Sequence, residues 1–467
     1  MYDQTEALRG ERAFEGALAL REAEPHAVAP RAAPGGGAQP DILGPGGLPD
    51  AGGDYEYVPL IVTGPSENRI DVWFVGDGYT ADDRDQLLAD VQAQMAYLFG
   101  DALADPFGRY QDAFNVHVVV AESAERGADR PEDGVYVDTA FDASYSWNGG
   151  VERCLYLDTG LADAAVSAVR PDGVDVDMRF GVVNSDIYGG CGGSWAVYSA
   201  GVGSAGDLAL HEVAHAYVGL ADEYWTDGDV HGGGEPWEVN VTADASGAKW
   251  GRWLGYDDGV LGPIGAYEGG LYVEDGIFRP TENSKMRTLG QPFDAVAKEA
   301  FVLAFYQDVD PLDGWAFEGA GAGGLTDEYA FWVDPFSSGV IDQRWFLDGV
   351  EIDGATGESL SLGTLGLAPG SYTLTAQAYD DTGLVRLDTD LLSQTVTWEV
   401  TTRYWAFDGT GAGDAMDGRA AADRLDGRGG DDTLEGLGGD DWLIGGGGAD
   451  LVLGGAGADV IYGDGVV

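Results

Sequence analysis

Residues 207–224 read DLALHEVAHAYVGLADEY. Leu208, Val213, Ala214, Tyr217 and Val218 supply the apolar body of a buried helix. His211 and His215 stand four apart, so on a helix both imidazoles leave one face about one turn apart and can share one ion. Glu212 sits beside the first of them, where its carboxylate can take a proton from a water on that ion. The whole chain has 5 His, and the placing of two of them around this Glu weighs against a merely solvated polar face. Gly219 can end the helix by reversing the chain. The reversal returns an acidic side chain as a third protein ligand and leaves a fourth position for water. Asp222 is the expected ligand; Glu223 and the loop residue His231 are the alternatives. Two imidazoles and a carboxylate select zinc.

Around this helix, strands and helices alternate. Apolar runs at 59–63, 70–75, 115–120, 180–184 and 195–199 read as strands. Thr80 offers an N-cap, and Leu87, Leu88, Val91, Met95, Leu98 and Phe99 recur at helical spacing. The pattern predicts an α/β domain over 55–315. The run 195–199, just ahead of the metal helix, is the candidate for main-chain pairing with an extended substrate. Before this domain, residues 1–54 turn rich in Pro and Gly and read as a flexible leader or removable pro-segment.

This part of the chain resembles the metzincins, with Gly219 one place later after His211 than in their usual pattern. The longer form, ending in GLADEY, looks like the IgA-peptidase family of metallopeptidases. VGDGYT at 75–80, FNVHVV at 114–119, YGGCGG at 188–193 and FRPTENSKMR at 278–287 agree with that family. The resemblance implies a metzincin-like catalytic domain that hydrolyses protein or peptide substrates. It also implies that Met286 forms the Met-turn, an apolar floor beneath the metal. Two residues later stands Thr288, so no tyrosine is carried over at that place.

Past residue 316 helical periodicity stops. Strand-like stretches at 329–333, 343–347, 372–379 and 395–400 alternate with turns such as Asp348-Gly349. They predict a β-sandwich, Ig-like, over 316–405. The segment 406–467 then repeats in nines: GRGGDDTLE from Gly427, GLGGDDWLI, GGGGADLVL and GGAGADVIY, with a degenerate unit from Gly418. Each unit places an Asp sixth (Asp432, Asp441, Asp450, Asp459), and an apolar residue follows two places on (Leu434, Leu443, Val452, Ile461). A turn plus a short strand per unit coils into a parallel β-roll with the apolar residue inward and the carboxylates stacked. Oxygen ligands on flexible turns suit calcium, several ions of it. These units resemble RTX repeats, whose bearers leave the cell through type I secretion machinery without an N-terminal signal.

Of 467 residues, 81 are Asp or Glu and 24 Lys or Arg, a net charge of −57. So acidic a chain repels nucleic-acid phosphates and excludes that class of partner. No apolar run reaches the ~18 residues of a transmembrane helix. The first thirty residues lack a basic stretch followed by an apolar one, so the expectation is an extracellular monomer exported without a cleaved signal. Cys154 and Cys191 either pair outside the cell or stay as two buried thiols. Two rival functions remain at this level: a non-catalytic adhesion or matrix protein that binds calcium, and a zinc amidase acting on cell-wall peptides. Intact Glu212 argues against the first.

Overall fold

The computed structural model describes residues 55–146, 152–317, 330–402 and 404–463; the leader expected over 1–54 lies outside them. The chain divides into two compact units. One runs to Asp310 and includes Thr382–Leu391, and the other holds Pro311–Asp381 and the chain from Leu392 onward.

The first unit is built on a six-stranded mixed sheet. Its strands are β1 (Tyr55–Ile61), β2 (Ile70–Asp77), β3 (Phe114–Ala121), β4 (Met178–Val183), β5 (Gly190–Gly192) and β6 (Ala196–Ser199), in the order β1-β3-β2-β4-β6-β5. The inner pairs are parallel, and β1 and β5 close the two edges antiparallel. β2 is buried along its whole length, as a parallel strand covered on both faces must be. Four helices are described here: α1 (Arg84–Gly100), α2 (Thr159–Val169), α3 (Ala205–Val218) and α4 (Ala295–Asp308).

Ala162, Ala165 and Val166 of α2 pack with Trp73, Val75, Val119 and Val197 on one face. On the other face Leu87 of α1 lies against Gly76, and α3 packs on β4, β5 and β6. The N-terminal signal at Thr80 is a capping box with Asp83, whose carboxylate accepts from both the Thr80 amide and hydroxyl. Leu87, Val91, Met95 and Leu98 are buried as their spacing predicts, while Leu88 and Phe99 are partly exposed.

One expectation changes. The run 195–199 does form a strand, but β6 is paired on both sides, by β4 and β5. The edge strand is β5, a glycine-rich triplet with too few apolar residues to read as a strand. Beyond α3 the chain forms a smaller sheet of β7 (Trp225–Val230), β8 (Tyr267–Gly270) and β9 (Tyr272–Arg279), ordered β7-β9-β8.

The second unit opens with β10 (Leu312–Phe317), β11 (Ala330–Pro335), β12 (Ile341–Leu347), β13 (Val350–Glu351), β14 (Ser359–Ser361), β15 (Gly370–Asp380) and β16 (Ser393–Thr402). They form two antiparallel sheets, β10-β11-β14 and β13-β12-β15-β16. The sheets meet through aromatic rings: Trp398 of β16 stacks on Trp345 and takes Phe331 of β11 edge-on. Asp348 and Gly349 both have positive φ, the two-residue hairpin turn that this dipeptide favours.

The tail holds β17 (Trp405–Asp408), β18 (Ala415–Asp417), β19 (Asp423–Asp426), β20 (Thr433–Glu435), β21 (Trp442–Ile444), β22 (Leu451–Leu453) and β23 (Val460–Tyr462). Alternate units fall in two parallel sheets, β17-β19-β21-β23 and β18-β20-β22. Leu425, Leu434 and Leu443 are fully buried between them, with Met416 and Val452 alongside. Ile461, expected inward, is 48% exposed, because no described coil stacks beyond it.

Candidate metal centre

α3 ends at Gly219, in the left-handed conformation with φ 65°. The Gly219 amide donates to His215 O at 3.2 Å, the 5→1 bond of an αL stop, and the Leu220 amide donates to Ala214 O at 2.9 Å. The chain therefore turns back and brings Asp222 beneath the two histidines. Asp222 Oδ1 lies 3.1 Å from His211 Nε2 and 3.3 Å from His215 Nε2, and the two Nε2 atoms are 3.2 Å apart.

Backbone carbonyls settle the tautomers. His211 Nδ1 donates to Lys285 O at 3.2 Å and His215 Nδ1 to Leu220 O at 2.5 Å. In the neutral rings each Nε2 is then a bare lone pair. Two such lone pairs and a carboxylate oxygen converge, an arrangement of acceptors that a cation satisfies. Donors about 2.0–2.1 Å from a tetrahedral ion are separated by roughly 3.3 Å, so the three distances match three corners of that tetrahedron. Among the described residues this is the group of His, Cys, Asp and Glu side chains able to hold a metal.

The second oxygen of Asp222 accepts a hydrogen bond from Tyr272. Leu271 and Tyr272 form the tight turn between β8 and β9, both with positive φ, 51° and 63°, a conformation costing bulky residues about 1–3 kcal/mol each. Their amides donate to Asp222 O at 2.8 Å and Tyr224 O at 3.0 Å, so the turn is held against the ligand segment. Burial pushes the Asp222 carboxyl up, but the imidazoles of His211 and His215 beside it outweigh this and hold it well below the usual range.

Glu212 is buried, and burial pushes its carboxyl up, partly offset by the neighbouring imidazoles. Gly190 of β5 lies so near that an added Cβ would come within 2.9 Å of Glu212 Oε1, and one at Gly192 within 2.6 Å of His215 Cβ. The YGGCGG stretch thus lies over Glu212 and His215. Cys191 within it is joined by a disulfide to Cys154, which resolves the two readings of that pair.

Glu223 faces away from the histidines. Its carboxylate accepts from Ser284 Oγ at 2.6 Å and Asn240 Nδ2 at 3.0 Å, and its amide donates to Met286 O at 2.9 Å. Burial and the nearby Asp294 push its carboxyl up. His231 bonds to Gly234 O within its own loop. Met286 is fully buried in the turn whose Lys285 carbonyl holds His211. The Lys285 side chain pairs with Asp207, one helical turn before His211.

In the roll, sixth-place carboxylates form an 18-residue ladder. Asp432, Asp441, Asp450 and Asp459 accept through Oδ1 from the amides of Asp414, Asp423, Asp432 and Asp441, at 2.8 to 3.1 Å. Asp432 Oδ2, Asp441 Oδ2 and Asp423 Oδ1 are buried with no hydrogen-bond partner. A cation would satisfy buried carboxylate oxygens of this kind, and their oxygen chemistry fits calcium. Asp414 stands in a further unit, GTGAGDAMD from Gly409, which the nine-residue register extended backward would have found.

Residues 58–263 match the family model of IgA Peptidase M64. Residues 408–443 and 435–465 match that of the RTX calcium-binding nonapeptide repeat. None of the curated proteins matches the chain. His211, Glu212, His215 and Asp222 fall inside the first match; Tyr272 and Met286 lie beyond it. The chain thus joins a segment similar to IgA Peptidase M64, which indicates a peptidase, to a tail that matches RTX calcium-binding nonapeptide repeats.

Proposed function

We propose that the chain is a secreted zinc metalloendopeptidase whose tail folds on calcium. His211, His215 and Asp222 would hold the zinc, and when bound it supplies a Lewis acid that polarises the scissile carbonyl and acidifies water. Glu212 takes the proton of the attacking water and passes it to the leaving amine, a role suited to a carboxyl raised by burial. The two carbonyls on the Nδ1 atoms keep both imidazoles in the ligating tautomer. Tyr272 fixes the Asp222 carboxylate. In the roll, Asp432, Asp441, Asp450 and Asp459 would hold the calcium ions.

The observation that carries this reading is the meeting of three lone-pair donors 3.1 to 3.3 Å apart beside a buried Glu. The reversal at Gly219 and the turn bearing Met286 support a metzincin-like domain, and the two facing sheets of 312–402 an Ig-like sandwich. Disulfide Cys154–Cys191 and a calcium-dependent tail both suit the extracellular space, with type I secretion machinery as the export partner. Glu212→Gln is expected to keep one zinc per chain and lose roughly 10²–10⁴-fold in casein hydrolysis. Wild-type turnover by this variant would show that Glu212 is not the base.

A further inference from the structure

Cations are scarce in this chain, 24 against 81 acidic residues, and one of them stands beside the metal centre. Arg153 is exposed. Its Nη2 donates to Tyr224 Oη at 3.0 Å, and its guanidinium carbon lies 5.5 Å from the centre of that ring. Tyr224 follows Asp222 by two residues and meets Tyr272 edge-on at 5.2 Å; Tyr272 in turn is bonded to Asp222. Among the described residues no carboxylate forms an ion pair with Arg153, whereas Arg84, Arg109, Arg126 and Arg252 each have one.

The backbone of Arg153 is fixed in two ways. Its carbonyl accepts the Gly190 amide at 3.1 Å, and the next residue, Cys154, is bonded to Cys191. Both anchors lie on β5, which rests on Glu212 and His215. A disulfide and a strand contact therefore hold Arg153 beside the strand that lies on Glu212 and His215, with its guanidinium on Tyr224, two residues past Asp222.

We propose that Arg153 is a specificity determinant that receives a carboxylate of the peptide substrate, and so selects acidic peptides for the zinc peptidase proposed above. One of its five N–H donors goes to Tyr224, and the planar fork can take a carboxylate with two others. On a surface of net charge −57, a substrate carboxylate is repelled over most of the chain, so a cation at this place helps set the register of the bound peptide. The carboxylate comes from an Asp or Glu side chain near the scissile bond or from a free C-terminus.

The test is digestion of a proteome-derived peptide library by the full chain with zinc and calcium, read by mass spectrometry. One library keeps free C-termini and one is C-terminally amidated. Wild type is expected to favour peptides with Asp or Glu at one fixed subsite by roughly ten- to a hundredfold. If the C-terminal carboxylate is the group bound, the preference is for a fixed distance from the C-terminus and vanishes on amidation. Arg153→Gln is expected to collapse the acidic-to-neutral ratio through KM, and Arg153→Lys to keep part of it. Cleavage by wild type with no carboxylate preference would overturn this inference and leave the peptidase intact. An equal fall on acidic and neutral peptides in Arg153→Gln would also overturn it, since Arg153 would then only support Tyr224. Failure of wild type to cleave either library would instead count against the peptidase reading.

Discussion

Asp222 faces His211 and His215 through one oxygen and accepts the Tyr272 hydroxyl with the other. A carboxylate held in this way cannot rotate out of the site without breaking a bond, and the strained turn at 271–272 keeps the phenol in reach. Removing such an outer partner typically costs about 10–100-fold in metal affinity or activity. Tyr272→Phe keeps the ring that packs on Tyr224 and removes only the hydroxyl. Its zinc affinity, measured by chelator competition, is expected to fall by about that factor. Unchanged affinity would mean that Tyr272 does not orient the ligand. Tyr272 carries no local sign in the sequence, because its partner is fifty residues away and reaches it through a hairpin. His211, Glu212, His215 and Asp222 were legible for the opposite reason: one helix and its stop place them, and both are local.

At the scale of elements, α3 and β5 form a closely fitted pair. Glycine at 190 and 192 lets the strand lie on Glu212 and His215, and a methyl at 192 would meet the Glu212 carbonyl at 2.8 Å. Overpacking of this kind costs about 1–3 kcal/mol. Gly192→Ala is expected to lower the unfolding midpoint and to displace His215, with peptide hydrolysis reduced more than stability. Normal hydrolysis by a destabilised variant would contradict this coupling. The edge position of β5 was not legible, since Gly190–Gly192 offers no apolar alternation and only pairing with Tyr198 to Ala196 makes it a strand. Helices α2 and α4 were not read from the sequence; their N-caps Asp158 and Asp294, each accepting two helix amides, are the signals that mark their starts. The carbonyls of Lys285 and Leu220 could not be foreseen, because every residue has a carbonyl and only the fold selects these two.

For the molecule as a whole, the high charge and the glycine content have their clearest consequence in the tail. Within the stack Asp441 is pushed up by burial and by Asp459, Asp423 and Asp440. Calcium relieves this repulsion, so removing it with EGTA is expected to abolish amide-exchange protection over 423–462, and added calcium to restore it. Protection that survives EGTA would contradict a calcium-folded roll. No helix of the described residues is long and apolar enough to cross a membrane. Peptide hydrolysis by this chain depends on one ion. Anomalous diffraction at the zinc edge, from crystals of the purified chain, is predicted to show a peak about 2.0–2.2 Å from His211 Nε2, His215 Nε2 and Asp222 Oδ1. Absence of a peak there, with those three side chains turned apart, would contradict it.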